Sequence, residues 1–158
     1  MTDTSANSRV SRLGEIGLDN FAPYLMNRIM GRYNADLRQQ TATMGLTTPK
    51  MRTLAVLSVM DGLLIRELAV YAVVELSTLS RALDQLEAQG LVQRVPDPSD
   101  NRASRVSITP AGRDVFETHW PTMAQAYEQM FENISDGERH AFVGTLKKIL
   151  GNIRIHDF

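Results

Sequence analysis

The sequence predicts a mainly α-helical protein that carries one small β-hairpin, and three observations support this fold class. Apolar residues recur at helical spacing over most of the 158 residues. Two Thr-Pro pairs, at Thr48 and Thr109, are typical of a helix start with proline in the first turn. Between them, the turn-forming segment 96–100 is followed by the alternating stretch 105–108, which indicates a hairpin.

Three helices precede the hairpin. Apolar spacing predicts the first over 18–45 and the second over 48–61, and a minimal strand at 63–64 leads to a short third helix over 65–72. The valines at positions 70, 73 and 74 favour a strand by propensity alone. The surrounding pattern favours a helix followed by a turn, and we adopt this interpretation.

We expect the fourth helix to begin with Ser77 as its N-cap and to end at Gly90. Leu79, Leu83 and Leu86 lie at i, i+4 and i+7 and should form its buried stripe. At roughly 100° per residue, the opposite face carries polar side chains. These are Ser77, Arg81, Asp84 and Gln85, with Thr78 at the margin.

Two long helices follow the hairpin. The fifth begins at Thr109-Pro110, and Pro121 should kink it or break an early turn. The sixth begins with the capping box Ser135-x-x-Glu138. With the first helix, their apolar faces exceed what one small domain needs, which predicts that a second chain covers them. We therefore expect a disordered tail (1–14), dimerisation helices (15–47 and 110–158) and a lobe between them (48–109).

Composition excludes several classes of protein. With 43% hydrophobic and 22% charged residues, the chain resembles one soluble globular domain. Its longest apolar run, 68–74, is too short to cross a bilayer, and its start lacks a signal-peptide pattern, so we expect a cytoplasmic protein. The absence of cysteine excludes disulfides and thiolate metal sites. The three histidines lack the spacing of a helical metal site and no catalytic motif is present, so we expect no metal, no cofactor and no enzyme activity.

The charge of the chain is nearly balanced but unevenly distributed. A net charge of −1 does not by itself predict a nucleic-acid partner. Segment 28–52, however, holds five bases against one acid, whereas segment 114–138 holds six acids and no base. This distribution fits either one basic face that binds phosphates or ordinary solvated helix surfaces.

The fourth helix and the hairpin together have the features of a winged helix-turn-helix. Small hydroxyl groups on the helix allow close approach to phosphates, and Arg81 can donate a bidentate pair to a guanine edge. Asp100, two residues before Arg102, can hold the guanidinium in one pose, which suits the narrow minor groove of DNA. The candidate DNA-binding residues are Ser77, Thr78, Ser80, Arg81 and Gln85 on the helix and Arg94, Asp100, Arg102 and Arg105 on the hairpin, where Arg94 and Arg105 would contact phosphates.

The order of these motifs resembles the multiple-antibiotic-resistance regulator (MarR) family. The resemblance covers about fifty contiguous positions. The matching residues are Leu63 to Ala69, Ser77 to Arg81, Leu83 to Leu86, Gly90-Leu91-Val92, Asp100-x-Arg102-Ala103, Val106-x-Ile108-Thr109 and Gly112. Val73 departs from the family pattern, which often has glycine in this turn.

The resemblance implies a homodimer that is joined through its terminal helices, binds a pseudo-palindromic operator and usually represses transcription. Such regulators often release DNA when a small aromatic or phenolic molecule enters a cleft between the dimer region and the DNA-binding lobe. By position, Tyr24, Met30, Trp120 and Met123 are the candidates to line that cleft. Side chains of these types are more often core or dimer contacts than ligand contacts, and that is the stronger interpretation of these four residues.

A second interpretation comes from another functional class. Segment 77–113 holds five bases against four acids, which is a weak positive balance for a DNA-binding surface. A protein-interaction adaptor that keeps the winged fold without binding DNA would have such a balance.

Overall fold

The computed structural model describes residues 11–158 and confirms a mainly α-helical fold with a small antiparallel sheet. The chain divides into two compact units, of which one ends at Gly45 and the other runs from Leu46 to Phe158. The assignment of residues 15–47 and 110–158 to a dimerisation region stays a prediction.

The first unit holds three helical segments where the sequence predicted a single helix over 18–45. They are α1 (Leu13–Ile16), a short 3₁₀ helix (Leu18–Asn20) and α2 (Ala22–Thr43). The predicted start was wrong because Pro23 has no N–H to donate to the carbonyl of Asp19; the proline lies instead in the first turn of α2. Of the predicted tail (1–14), residues 1–10 lie outside the described part of the chain, and α1 includes its last two positions.

The second unit combines helices with three short strands. Its elements in chain order are α3 (Thr48–Val59), β1 (Leu63–Leu64), α4 (Ile65–Ala72), α5 (Leu76–Ala88), β2 (Val92–Pro96), β3 (Ser104–Ile108), α6 (Pro110–Met130) and α7 (Asp136–Ile153). The predicted strand at 63–64 and the predicted helix over 65–72 are confirmed. Strand β3 pairs antiparallel with both β1 and β2, so the predicted hairpin gains a third strand.

Leucines form most of the core of this unit. Leu79, Leu83 and Leu86 are fully buried, which confirms the predicted stripe of α5. Fully buried side chains from α3, α4 and the sheet share this core: Leu54, Leu57, Leu68, Val92 and Val106. Burial of each such side chain contributes about 1.5–3 kcal/mol. The core therefore fixes which face of α5 points outward.

A residue in the left-handed conformation ends α4. Val73 has φ 53° and ψ 52°, and the N–H groups of Val73 and Val74 donate to the carbonyls of Val70 and Ala69. This is a Schellman motif, in which glycine is usual because it has no Cβ. The valine adopts the conformation that a glycine would, at the expense of strain in its β-branched side chain.

Helix α5 begins two residues earlier than predicted. Its N-cap is Glu75, and the Glu75 carbonyl accepts a hydrogen bond from the N–H of Leu79 at 2.8 Å. The prediction of Ser77 as the N-cap was wrong, because Glu75 has extended dihedral angles (φ −60°, ψ 142°) and its carbonyl already accepts a helical hydrogen bond. Ser77 instead lies in the exposed first turn of the helix.

The start of α6 packs against the base of the hairpin. The Thr109 hydroxyl accepts a hydrogen bond from the N–H of Gly112 at 3.1 Å and donates one to the carbonyl of Gly90 at 2.6 Å, which confirms the predicted helix start. A Cβ atom at position 112 would lie 2.0 Å from the carbonyl oxygen of Leu91. This close approach requires glycine at position 112.

Helices α6 and α7 can be compared with the sequence prediction at Pro121 and at the capping box. Helix α6 continues through Pro121, so the proline does not break the helix. Glu117, whose carbonyl loses its helical donor, and Pro121 are both exposed, so water can bind that carbonyl. The predicted capping box of α7 is confirmed, since the Ser135 hydroxyl accepts from the N–H of Glu138 and the Glu138 carboxylate accepts from the N–H of Ser135.

Candidate nucleic-acid interface

Helix α5 presents the polar face that the sequence predicted. Its buried leucines fix the rotation of the helix, and every candidate side chain on it is exposed. The Arg81 guanidinium has no ion pair within residues 11–158 and is available to an external acceptor. The exposed candidates are Ser77, Thr78, Ser80, Arg81 and Gln85.

The hairpin tip is organised around a buried carboxylate. Asp97 is 3% exposed and accepts hydrogen bonds from the hydroxyl and the N–H of Ser99 and from the N–H of Asp100. The Ser99 hydrogen bonds, followed by the Arg105 guanidinium, lower the pKa of Asp97 to about 2. Asp97 therefore stays ionised and holds the tip in one conformation.

Asp100 has a different partner from the one that the sequence predicted. Its carboxylate accepts a hydrogen bond from the backbone N–H of Arg102 at 2.9 Å and does not bind the Arg102 guanidinium. An aspartate readily bonds to the backbone two residues later, which is the geometry of an Asx turn. Asp100 thus shapes the turn, and the exposed Arg102 side chain has no ion pair in the part of the chain that the structure describes.

The guanidinium of Arg105 is half-buried and binds two other parts of the same unit. Its Nε atom donates to the Asp97 carboxylate, and one terminal nitrogen donates to the carbonyl of Gly62 at 2.9 Å. The guanidinium thereby joins the hairpin tip to the turn before β1. The phosphate contact predicted for Arg105 has to compete with these two hydrogen bonds.

Arg94 connects the hairpin to α5. Its guanidinium bonds to Glu87 at 2.7 and 2.9 Å and to Asp84 at 2.6 Å, and its backbone N–H donates to Glu87 at 3.1 Å. These bonds lower the pKa of Glu87 and raise the pKa of Arg94. Arg94 therefore offsets part of the charge of two acids on the exposed side of α5, where uncompensated negative charge would repel DNA.

A third exposed arginine, which the sequence analysis missed, lies on the same unit. Arg66 follows the start of α4, and its side chain has no hydrogen bond or ion pair among the described residues. It lines a cleft of about 420 Å³ together with Arg102 and Arg105. The one available sequence signal was an arginine facing away from buried Leu68 on a short helix, which is an ordinary feature of solvated helices.

The four candidate effector residues lie on two helices in different units. Tyr24 and Met30 belong to α2, where the Tyr24 hydroxyl accepts a hydrogen bond from Arg28 at 3.2 Å. Trp120 and Met123 belong to α6, where the Trp120 ring is half exposed and lies 5.9 Å from the Phe116 ring.

Two other kinds of site were sought among the described residues. Over residues 11–158, no group of three or more metal-ligating side chains could hold an ion. None of the helices in the same residues combines the length and the apolar character that crossing a membrane requires.

Comparisons with known proteins agree with this geometry. A family model described as "MarR family" matches residues 44–103. The chain is similar to the crystal structure of a MarR-family transcriptional regulator from Silicibacter pomeroyi, with 56% identity, a TM-score of 0.89 and coverage of 94% of this chain and 100% of that one. It is also similar to the transcriptional repressor IacR of Pseudomonas putida, with 24% identity over 88% of this chain and 83% of that protein. BpsR of Bordetella bronchiseptica, whose DNA binding is regulated by 6-hydroxynicotinic acid, has 25% identity, a TM-score of 0.70 and coverage of 81% and 97%.

The likeness to the Silicibacter pomeroyi regulator spans both compact units, and the family match covers α3, α4, α5 and the first strand and tip of the hairpin. The chain belongs to the MarR family of DNA-binding transcriptional regulators.

Proposed function

We propose that the protein is a homodimeric repressor that binds a pseudo-palindromic operator, with α5 of each copy in the major groove and each hairpin tip in the adjacent minor groove. One observation carries the proposal: Arg81 and Arg102 are exposed without ion-pair partners in the described chain, on two elements of one compact unit. A guanidinium that forms no internal ion pair can bind a base edge or a phosphate at no cost to folding.

The side chains of α5 divide into two roles. Arg81 donates to a guanine edge, and Gln85 reads an adenine or anchors the helix beside it. The hydroxyl groups of Ser77, Thr78 and Ser80 bind phosphates, which fixes the depth of the helix in the groove.

On the hairpin, Arg102 enters the minor groove, where narrow A·T-rich stretches attract arginine. Arg94 and Arg105 act as positioning residues, because their internal hydrogen bonds hold β2 against α5 and the tip against β1. Asp100 contributes through the turn that presents Arg102.

Exposed apolar side chains on the terminal helices support the dimer. On α7, Leu150 is 60% exposed and Ile153 is 70% exposed, and Phe142 lies on the same side of the helix. A row of large apolar side chains in water is typical of a surface that another chain covers. Two copies related by a twofold axis present two α5 helices to half-sites about 34 Å apart.

A small aromatic molecule is the class of effector that we assign to the protein. On α2, Tyr24 and Met30 offer such a ligand an aromatic ring and an adaptable apolar side chain. On α6, Trp120 and Met123 offer the same two kinds of group. The regulation of BpsR by 6-hydroxynicotinic acid supports this class of ligand. The protein acts in the cytoplasm, together with its DNA, and without catalysis.

Selection of genomic fragments with the purified protein, followed by fluorescence anisotropy on the recovered operator, tests the proposal. Arg81→Ala should cost about 1–3 kcal/mol per half-site and relax the preference at one base position. Lys148→Ala, which removes a charge from the exposed polar side of α7, is the matched control and should bind as the wild type does.

Three results would contradict the parts of this proposal separately. Equal loss on operator and random DNA would reduce Arg81 to a phosphate contact. Recovery of no preferred fragment would favour the adaptor function. Transcription that rises when the protein binds its operator in a purified system would exclude repression.

A further inference from the structure

The cleft between the hairpin tip and the helix-turn-helix is lined by three arginines and two aspartates. Its volume is about 420 Å³, and Arg66, Arg102 and Arg105 contribute to its wall together with Asp97 and Asp100. Arg66 approaches from α4, whereas the other four residues belong to the hairpin. Leu64, Ile65 and Leu76 supply its apolar part.

The two acids do not cancel the whole positive charge of the cleft. Asp97 is buried, saturated with hydrogen bonds and paired with Arg105. Asp100 bonds to a backbone N–H, so its charge is only partly offset. Two guanidinium groups, those of Arg66 and Arg102, are exposed and have no ion pair among the described residues. The cleft therefore favours an oxyanion.

The position of the cleft identifies that oxyanion. Helix α5 lies on one side of it and the hairpin tip on the other, since Leu76 begins α5 and Arg102 lies at the tip. On duplex DNA, a single sugar-phosphate strand separates a major groove from the adjacent minor groove. A protein that inserts α5 into one groove and the tip into the other must take this strand between the two elements.

We propose that the cleft binds a phosphodiester of this strand and that Arg66 is its ligand on the helix side. The inference rests on the proposed function and adds a phosphate site to it. Arg66 grips the backbone and reads no base, so it sets the register of α5 and the hairpin on the duplex. Arg102 lies beside the same strand, and its guanidinium extends beyond it into the minor groove.

Fluorescence anisotropy over a salt series tests Arg66 against Arg81. Arg66→Ala should weaken binding to the operator and to a scrambled duplex alike, by about tenfold, and lower the slope of log K against log salt by about one per half-site. Arg66→Lys should keep most of the slope, since an ammonium group also binds phosphate as a point charge. Arg66 is exposed, so the melting temperature should stay unchanged. Lys148→Ala again serves as the charge-matched control.

Duplexes with single uncharged methylphosphonate linkages locate the contact. The wild type should lose affinity at one linkage per half-site, and Arg66→Ala should lose nothing further at that linkage while remaining sensitive to the others. Full sensitivity of Arg66→Ala at every linkage would overturn the assignment.

Three outcomes separate this inference from the proposed function. Failure of the wild type to prefer any duplex overturns the proposed function itself. Wild-type binding that Arg66→Ala leaves intact overturns only the phosphate site, as does a loss confined to the operator. Titration with inorganic phosphate provides the last control: submillimolar saturation that Arg66→Ala abolishes would assign the cleft to a free oxyanion instead of DNA.

Discussion

The close contact between α6 and the base of the hairpin gives a strong stability prediction, for Gly112→Ala. The added Cβ would lie 2.0 Å from the Leu91 carbonyl oxygen and 2.9 Å from the Ile108 side chain. Ordinary contacts begin near 3.4 Å, so α6 and the hairpin base have to separate by about 1.4 Å. The Leu91 oxygen cannot move alone, because it accepts the N–H of Thr109 at 3.1 Å.

The magnitude follows from the contacts that are lost. Overpacking of this kind costs about 1–3 kcal/mol, and the hydrogen bond from Thr109 to Leu91 contributes about 1 kcal/mol. The better helix propensity of alanine returns less than about 1 kcal/mol. We therefore expect Gly112→Ala to lower the free energy of unfolding by about 2 kcal/mol, which lowers Tm by about 4–8 °C for a chain of this length.

Thermal unfolding followed by circular dichroism, at one fixed protein concentration, measures this effect. Gly144→Ala is the control, because Gly144 lies in α7 and a Cβ there has no atom within 4 Å. The control should raise Tm slightly, since alanine is the better helix former. A Gly112→Ala protein that melts with the wild type would refute the requirement for glycine.

Three further predictions concern the hairpin. Arg102→Ala should weaken operator binding at least tenfold and reduce the salt slope by about one per hairpin without lowering Tm, whereas Asp100→Asn, whose amide oxygen can still accept the Arg102 N–H, should bind better than Asp100→Ala; anisotropy decides both. Arg94→Ala exposes two uncompensated acids and should weaken DNA binding, and adding Glu87→Gln should restore part of the affinity in a double-mutant cycle. The hydrogen bonds that lower the pKa of Asp97 to about 2, from 3.8, stabilise the fold above about pH 4, and this contribution is lost as pH falls toward 2. Urea unfolding of Asp97→Asn should therefore depend less on pH between 4 and 2 than that of the wild type.

The helix starts and the buried stripe that were predicted correctly depend on interactions between residues close in sequence. The threonine at 109 and the capping box at 135–138 each satisfy backbone groups within four residues, so a sequence window contains the whole interaction. The leucine stripe of α5 works for the same reason, since its period is set by the helix alone. The start of the first helix was predicted wrongly although its signal was also local. The apolar spacing was followed, and the missing N–H of Pro23, which favours a helix start at this point, was overlooked.

The candidate site was harder to predict because arginines that look alike in sequence have different tertiary partners. Asp100-x-Arg102 has the spacing of an ion pair and also of an Asx turn, and the structure has the turn. Arg105 lies eight residues from Asp97 and 43 from Gly62, so no local pattern could assign its hydrogen bonds. Arg66 was missed because its importance depends on the cleft that the hairpin completes.

These pairings also change how the charge of the lobe should be counted. By sequence, segment 77–113 has five bases against four acids, a balance that fits an adaptor as well as a DNA-binding protein. In the structure, Arg94 neutralises part of the charge of Asp84 and Glu87, and Arg105 is paired with Asp97. Within residues 48–109, the exposed guanidinium groups without an ion pair are those of Arg66, Arg81 and Arg102, and of the four acids only Asp100 has no ion-pair partner among the described residues. Ion pairing leaves the net charge of the segment unchanged, but it places three of the four acids against arginines that hold the hairpin and leaves Arg81 and Arg102 available to DNA.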